Sequence, residues 1–306
     1  MKKILFASTA LVATAGVAAA ELTWSGSGRL GVVYTEGASQ ETVLDHRFRL
    51  TVNGVTETDG GVKFEGRIRW QADDGISGGN VNGAGATGGA GGAGFAVSTG
   101  GLRVDVGHVS DVFDSGDVVS WGGNGVGYTG FLDQAANFTG FDKKGFGNGA
   151  AASQTIKALY TISDFTVNAS YTLNDTTIAG ADESWQIGAG YNFGAHRVGA
   201  MYGDDKASGK QWAIGADGSF GDFSYAALVG DNDTVNKTMY GLSGAYAVSA
   251  AGSITGYVSG GGLAANDTSY GIGYSHSLGG GVSLATGVAK APGGNTIADA
   301  GVTFSF

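Results

Sequence analysis

The chain closes on Thr296-Ile-Ala-Asp-Ala-Gly-Val-Thr-Phe-Ser-Phe306. Ala298, Ala300, Val302, Phe304 and Phe306 fall on one face, and Asp299, Gly301, Thr303 and Ser305 on the other. A period of two is the strand period, so one face meets an apolar medium and the other a polar one. Terminal residues usually fray. A strand that keeps its alternation to Phe306 predicts a closed sheet whose last strand pairs with its first, at Glu21–Tyr34. Strands cross a bilayer only when the sheet closes and leaves no backbone group unpaired.

The opposite end carries an address. Met1-Lys-Lys3 is basic, Ile4 to Ala20 is apolar or small, and Ala18-Ala19-Ala20 offers a small-residue cleavage site before Glu21. This pattern predicts a secretory signal peptide over 1–20, with one domain over 21–306. Removing Lys2 and Lys3 leaves 15 basic residues against 27 acidic ones, a net charge of −12. So negative a chain is not built to bind nucleic acid.

Composition narrows the class. There is no cysteine, so an exported chain is not held by disulfides. Charged residues are 14%, well below the usual share of about 25% in soluble domains. Pro292 is the single proline, so almost no ladder donor is lost. Mean hydropathy is only +0.04, and after Ala20 no apolar run approaches the ~18 residues of a membrane helix. A membrane barrel reconciles these facts, because only every second residue must be apolar.

Alternating segments recur from Glu21 onward, about sixteen in all, with Gly, Asp and Asn at the junctions. Short connections (58–61, 100–101, 163–164, 194–195, 221–222, 249–252, 279–281) alternate with longer ones, the longest over 110–153. This is the pattern of a barrel with short turns at one rim and loops at the other. The expected fold is therefore an all-β, sixteen-stranded antiparallel transmembrane barrel. Asn80–Gly94 is nearly all Gly, Ala, Asn and Thr and reads as a flexible loop without chemistry.

Basic residues gather on one wall. In Leu44–Val52 the apolar residues share a face with His46, which leaves Arg47 and Arg49 on the other. In Val62–Trp70, Lys63, Glu65, Arg67 and Arg69 lie opposite Phe64, Ile68 and Trp70. Arg29 lies opposite Trp24 and Leu30. Arg or Lys on the lipid face at mid-bilayer costs about 2–4 kcal/mol. Arg29, Arg47, Arg49, Lys63, Arg67 and Arg69 are therefore expected to form a cationic patch lining a water-filled lumen. The plainer alternative is that they pair with Asp45 and Glu65 and only stabilise the wall.

Ser110–Ser153 is too long for a simple connection. It carries Asp111, Asp114, Asp117 and Asp133 among seven aromatic residues, including Phe113, Trp121, Phe138 and Phe141. The aromatics argue that it packs against something, and the lumen is the nearest enclosed space. Folded inward, its acids would face the arginines across a narrow opening with a transverse field. An exposed lid or a contact with a neighbouring copy is the alternative.

Taken together, Glu21–Tyr34, Arg47–Gly66, Leu102–Gly130, Tyr270–Tyr274 and Ala298–Phe306 give the chain its family likeness. It resembles the α-proteobacterial (Rhodobacter-type) general-diffusion porins over essentially the whole mature length. The resemblance implies a homotrimeric channel for small hydrophilic solutes in the outer membrane. The third outer loop would fold into the pore, led by Asp111-Val-Phe113-Asp114-Ser115. Phe306 would belong to the signal read by the barrel-assembly machinery. No cofactor is implied, though calcium can sit among the loop acids. The chain departs from the family where Gly140–Ala152 is glycine-rich and carries Lys143-Lys144. Passive diffusion with weak cation preference is expected from the acidic mature chain. A substrate-specific channel for sugars or organic ions is the alternative, and an outer-membrane barrel hydrolase a further one, though no compact catalytic motif is visible.

Some signals drop out. Gly26-Ser-Gly28-Arg-Leu-Gly31 spells a dinucleotide fingerprint but lies within a strand, with no helix after it. His46, His108, His196 and His276 are widely separated and fall on apolar-face parity, so they read as interfacial residues. Trp70, Trp185, Tyr202 and Trp212 fit aromatic girdles.

Overall fold

A computed structural model describes residues 20–73, 89–146, 154–173, 183–262 and 268–306. The first strands are β1 (Glu21–Thr35), β2 (Thr42–Glu57), β3 (Lys63–Asp73), β4 (Gly89–Ala90), β5 (Gly94–Thr99) and β6 (Leu102–Gly107). A single helical turn, α1 (Val112–Ser115), precedes β7 (Gln154–Ile162), β8 (Phe165–Leu173), β9 (Ser184–Phe193), β10 (His196–Asp205) and β11 (Gly209–Phe220). Then follow β12 (Phe223–Asn232), β13 (Met239–Ala247), β14 (Gly252–Gly260), β15 (Ser269–Gly279), β16 (Val282–Lys290) and β17 (Thr296–Ser305).

These elements make one closed antiparallel sheet. β4 and β5 both pair with β3, one above the other, so they are two pieces of one stave and the barrel has sixteen. The sequence reading takes Asn80–Gly94 as a loop. Residues 80–88 lie outside the described residues, whereas Gly89–Ala90 is already strand, because a glycine backbone pairs without needing a side-chain pattern. The segment read as a signal peptide, residues 1–20, also lies outside them, apart from Ala20.

Closure is made where the sequence places it. β1 pairs with β17 from Ser27↔Ser305 to Thr35↔Ile297. Beyond the strand, Gly26 N donates to Phe306 O at 2.8 Å, and Phe306 N donates to Gly26 O at 3.1 Å. The Phe306 ring covers Gly26 and the Phe304 ring covers Gly28, each where a Cβ would otherwise stand. Gly31 faces inward, and its missing Cβ makes room for the Tyr128 ring. The letters that imitate a nucleotide fingerprint are thus three seats for aromatic rings. Phe306 also stacks on Phe48, with centroids 5.9 Å apart.

The two faces separate as the alternation requires. Leu22, Trp24, Leu30, Leu44, Phe48, Ile187, Ile214, Leu242 and Ile272 stand exposed outside. Asn168, Ser170, Gln186, Gln211, Ser243 and Asp299 point inside and are buried. Trp185 and Tyr202 meet at 5.7 Å near the long-loop rim. Phe165, Tyr191, Phe193, Phe220 and Phe223 ring the short-turn rim. The tight turns use left-handed residues: Gly100, Gly101, Ser163, Gly194, Gly221 and Gly280 all have positive φ.

Ile214 lies mid-strand on the outer face and is 51% exposed. Ile214→Arg is expected to lower the stability of the barrel folded in lipid by about 2–4 kcal/mol. Urea titration in vesicles measures this, and an unchanged midpoint would mean that this face does not meet the bilayer.

Candidate functional site

The chain turns inward after β6. Asp111 caps α1: its backbone is extended, its Oδ1 accepts from Asp114 N at 2.9 Å, and Gly116 ends the turn in the left-handed region. The other carboxylate oxygen accepts from Lys144 N at 2.7 Å and from Gln186 Nε2 of β9 at 2.9 Å. Asp111 N in turn donates to Lys144 O at 2.9 Å. One fully buried carboxylate therefore ties the outgoing limb of the loop, its returning limb and the barrel wall together.

Inside the barrel the loop builds the core that the lumen would otherwise lack. Val112, Phe113, Val118 and Val119 are buried against Met201, Ala213 and Leu228, which point inward from β10, β11 and β12. Trp121, Phe138 and Phe141 close over this cluster. Ring centroids lie 5.0 Å apart for Trp121–Phe141 and 5.5 Å for Trp121–Phe138. The wall makes way with glycine. A Cβ at Gly199 would overlap the Val118 carbonyl, at Gly241 the Gln134 carbonyl, and at Gly287 the backbone of Gly127. These inward glycines let the loop backbone lie against the strands.

On the far side the loop reaches the closing strands. Tyr128 N and Thr129 N donate to the two oxygens of Asp299 at 3.2 and 3.0 Å, and Thr129 Oγ1 donates at 2.7 Å. Tyr128 Oη donates to Asp45 Oδ2 at 2.9 Å. That same Asp45 is buried and bridges Arg29, Nε to Oδ2 at 2.8 Å and a guanidinium nitrogen to Oδ1 at 3.1 Å. Burial and the Asp45 charge raise the Tyr128 hydroxyl above its ordinary value, so it stays a donor. The return limb leaves by way of Gln134, whose carbonyl oxygen accepts from Ser243 Oγ at 3.1 Å, and Asn137, which bonds Ser259.

The basic residues fall into three situations. Arg29 is joined to Asp45, as the plainer reading allows. Lys63 stands half exposed beside the β2–β3 turn, 3.8 Å from Glu57, away from the middle of the wall. Arg47 and Arg49 of β2 and Arg67 and Arg69 of β3 form the central patch, with Arg29↔Arg47 and Thr51↔Arg69 in register. Arg49 Nε donates to Gln71 at 2.7 Å. Glu65 serves Arg103, at 2.9 Å, rather than its own strand's arginines. Arg67 and Arg69 lie over the ring of Phe146, 3.5 and 4.8 Å from its centroid.

The loop acids divide as well. Asp114 is exposed to the lumen within electrostatic reach of Arg69. Asp117 turns to the wall and accepts from Lys157 Nζ at 2.7 Å and Asn168 at 3.2 Å. Burial opposes its charge, but the bond and charge of Lys157 outweigh burial and hold it below the usual carboxylate range. Asp133 accepts from Ala135 N at 2.7 Å, and burial pushes it upward. Asp111 faces β9, not the arginines, and burial pushes it up to about 7 despite its three donors. Among the described residues no group of three or more His, Asp or Glu side chains is placed to hold a metal ion.

Sequence reasoning missed Tyr128, Gln186, Gln134, Asp299 and Phe146, which fasten the loop. One signal was available. Glycines at inward parity (Gly31, Gly199, Gly215, Gly241, Gly287, Gly301) mark a track where something must approach the wall closely.

Two outcomes follow from this packing. Gly199→Val is expected to displace the loop within an intact barrel, since overpacking costs about 1–3 kcal/mol. Proteolysis between residues 108 and 146 should then appear, while Gly54→Val, where an added Cβ meets only Leu22 Cδ1 at 3.9 Å, should leave the loop protected. Asp111 gives a pH dependence. The seated loop retains a proton that an exposed aspartate with the ordinary value of 3.8 has released, so seating is favoured by acid. Wild-type cleavage should therefore rise as pH climbs from near 4 through about 7. Asp111→Asn should be cleaved more readily but with a shallower profile, since Asp133 is also raised by burial, and an unchanged slope would assign the titration elsewhere.

Comparison with known proteins places this architecture. Residues 7–295 match the family model described as Gram-negative porin. The chain is 31% identical over 305 residues to a porin of Fuscovulum blasticum, covering 94% of this chain and all of that one. It superposes on solved structures of Rhodopseudomonas blastica porin variants: a triple mutant at TM-score 0.77 and a second triple mutant at 0.76. Both are 29% identical, with 94% of this chain and all of theirs covered. A closed sixteen-stave barrel with a loop-filled lumen, matched along nearly its whole length, identifies the chain as a member of the Gram-negative porin family.

Proposed function

We infer that this chain, a Gram-negative porin by family and fold, works as an outer-membrane general-diffusion channel rather than as an enzyme. We propose that its constriction is the gap between the seated loop and the arginine wall. Arg47, Arg49, Arg67 and Arg69 line one side, and Asp114 with Lys143 occupies the other. The observation that supports this most strongly is the anchoring of the loop at three separated places: Gln186 on β9, Ser243 and Ser259 on β13 and β14, and Asp45 and Asp299 on β2 and β17. A loop pinned around the circumference narrows the lumen without sealing it. The transverse field favours small hydrated solutes, whose dipoles align in it, over apolar ones, which must displace ordered water.

Charge sets preference by difference. The long-loop rim carries exposed Glu36, Glu41 and Asp233, while the central wall is basic. We read wild-type selectivity as weakly cationic for this reason. The proposal extends to a homotrimer, to a cleaved leader over 1–20 and to Phe306 as part of the assembly signal. Exposed Phe306, stacked on half-buried Phe304 at the closing seam, is a surface for such machinery to grip.

Neutralising Arg47 and Arg49 together should move the reversal potential in a salt gradient toward stronger cation preference. An unchanged potential would mean that these arginines do not line the conducting path.

A further inference from the structure

Between the base of the loop and the short-turn rim, the lumen wall holds a polar recess of about 260 Å³. Its polar lining includes Arg67, Arg103, Asp105, Asp117, Lys157 and Ser115, with Ser110 beside them. The volume equals the liquid share of roughly eight waters. Two of its cations are already engaged. Arg103 donates to Asp105 and Glu65, and Lys157 donates to Asp117.

Arg67 differs. It is exposed to the lumen, and among the described residues it makes no ion pair and no hydrogen bond. Its guanidinium carbon lies over the Phe146 ring, 3.5 Å from the centroid, and so close a contact favours the guanidinium lying parallel to the ring, with its N–H groups directed outward. Holding the group flat against a ring removes rotamer freedom before any solute arrives, so less is lost when a partner binds. A planar fork of donors matches a planar carboxylate. The neighbouring Asp105 and Asp117 carboxylates disfavour a second negative charge, while Ser110 and Ser115 offer hydroxyls.

We propose that this recess is a weak, saturable subsite for a small organic monocarboxylate, with Arg67 holding the carboxylate. It rests on the reading of the lumen as the conducting path. The subsite would raise the local concentration of such solutes beside the constriction, which gives a general channel a bias among solutes of equal size.

Sodium lactate, glycerol and inorganic phosphate are the probes, added to full-length protein conducting KCl in a planar bilayer. Lactate is expected to reduce the current along a saturating curve, and glycerol only in proportion to viscosity. Phosphate, partly a dianion at neutral pH, should saturate more weakly than lactate. Arg67→Gln should weaken the lactate response about tenfold or more, as expected for loss of a hydrogen bond to a charged group. Lys237→Gln, on the exposed β12–β13 loop, should leave it unchanged. A linear lactate response in wild-type channels overturns the subsite, as does an equal response in Arg67→Gln or tighter block by phosphate. In each of those cases the KCl steps themselves still report an open pore, so failure of the subsite is distinct from failure of the channel reading. Because saturation is read on wild-type protein, the test survives poor folding of the variant.

Discussion

Everything in this molecule depends on the seam between β1 and β17. In a bilayer an unpaired backbone group finds no water, so a sheet edge there costs several kcal/mol for each orphan. The β1–β17 ladder runs from Ser27 to Thr35, and the reciprocal Gly26–Phe306 pair extends it to the final residue. Glycines at 26 and 28 let the Phe304 and Phe306 rings lie flat on the outer surface of the seam. β17 also supplies Asp299, and neighbouring β2 supplies Asp45, the far anchors of the loop. Opening the seam would therefore disturb one of the loop's three anchorages as well as expose an edge.

The second dependence is between wall and loop. A barrel of sixteen staves is too wide to be filled by its own side chains. Here the loop brings its own apolar core, with Phe113, Trp121, Phe138 and Phe141 over Val112, Val118 and Val119. The wall meets it with glycine and short polar residues. That division explains where glycine falls among the described residues: in turns, in outer ring seats and in inner loop seats. It also explains why most loop acids are not free charges. Asp111 and Asp117 hold structure, and Asp45 and Asp299 receive it, while Asp114 is exposed within electrostatic reach of Arg69.

Much of this was legible in the sequence. Period-two alternation located the staves, and the short–long rhythm of connections placed the rims, because both follow from backbone geometry and do not depend on distant partners. The arginines on β2 and β3 read inward because charge cannot sit on the lipid face. What parity cannot supply is which charged groups meet across a lumen. Glu65 lies beside Arg67 and Arg69 in the chain, yet it joins Arg103. Arg29 looks like its neighbours but is held by Asp45. Tyr128 and Phe146 read only as loop aromatics, since their partners lie 83 and 77 residues away. The split β4–β5 stave was hidden by a glycine-rich stretch that carries no alternation.

The central claim, that a loop seated inside the barrel narrows the lumen but leaves it open, is tested most directly by single-channel recording of the folded protein in planar bilayers. Discrete, ohmic KCl steps are predicted, with glycerol passing and larger neutral polymers excluded. Folded, membrane-inserted protein that gives no steps would contradict the account.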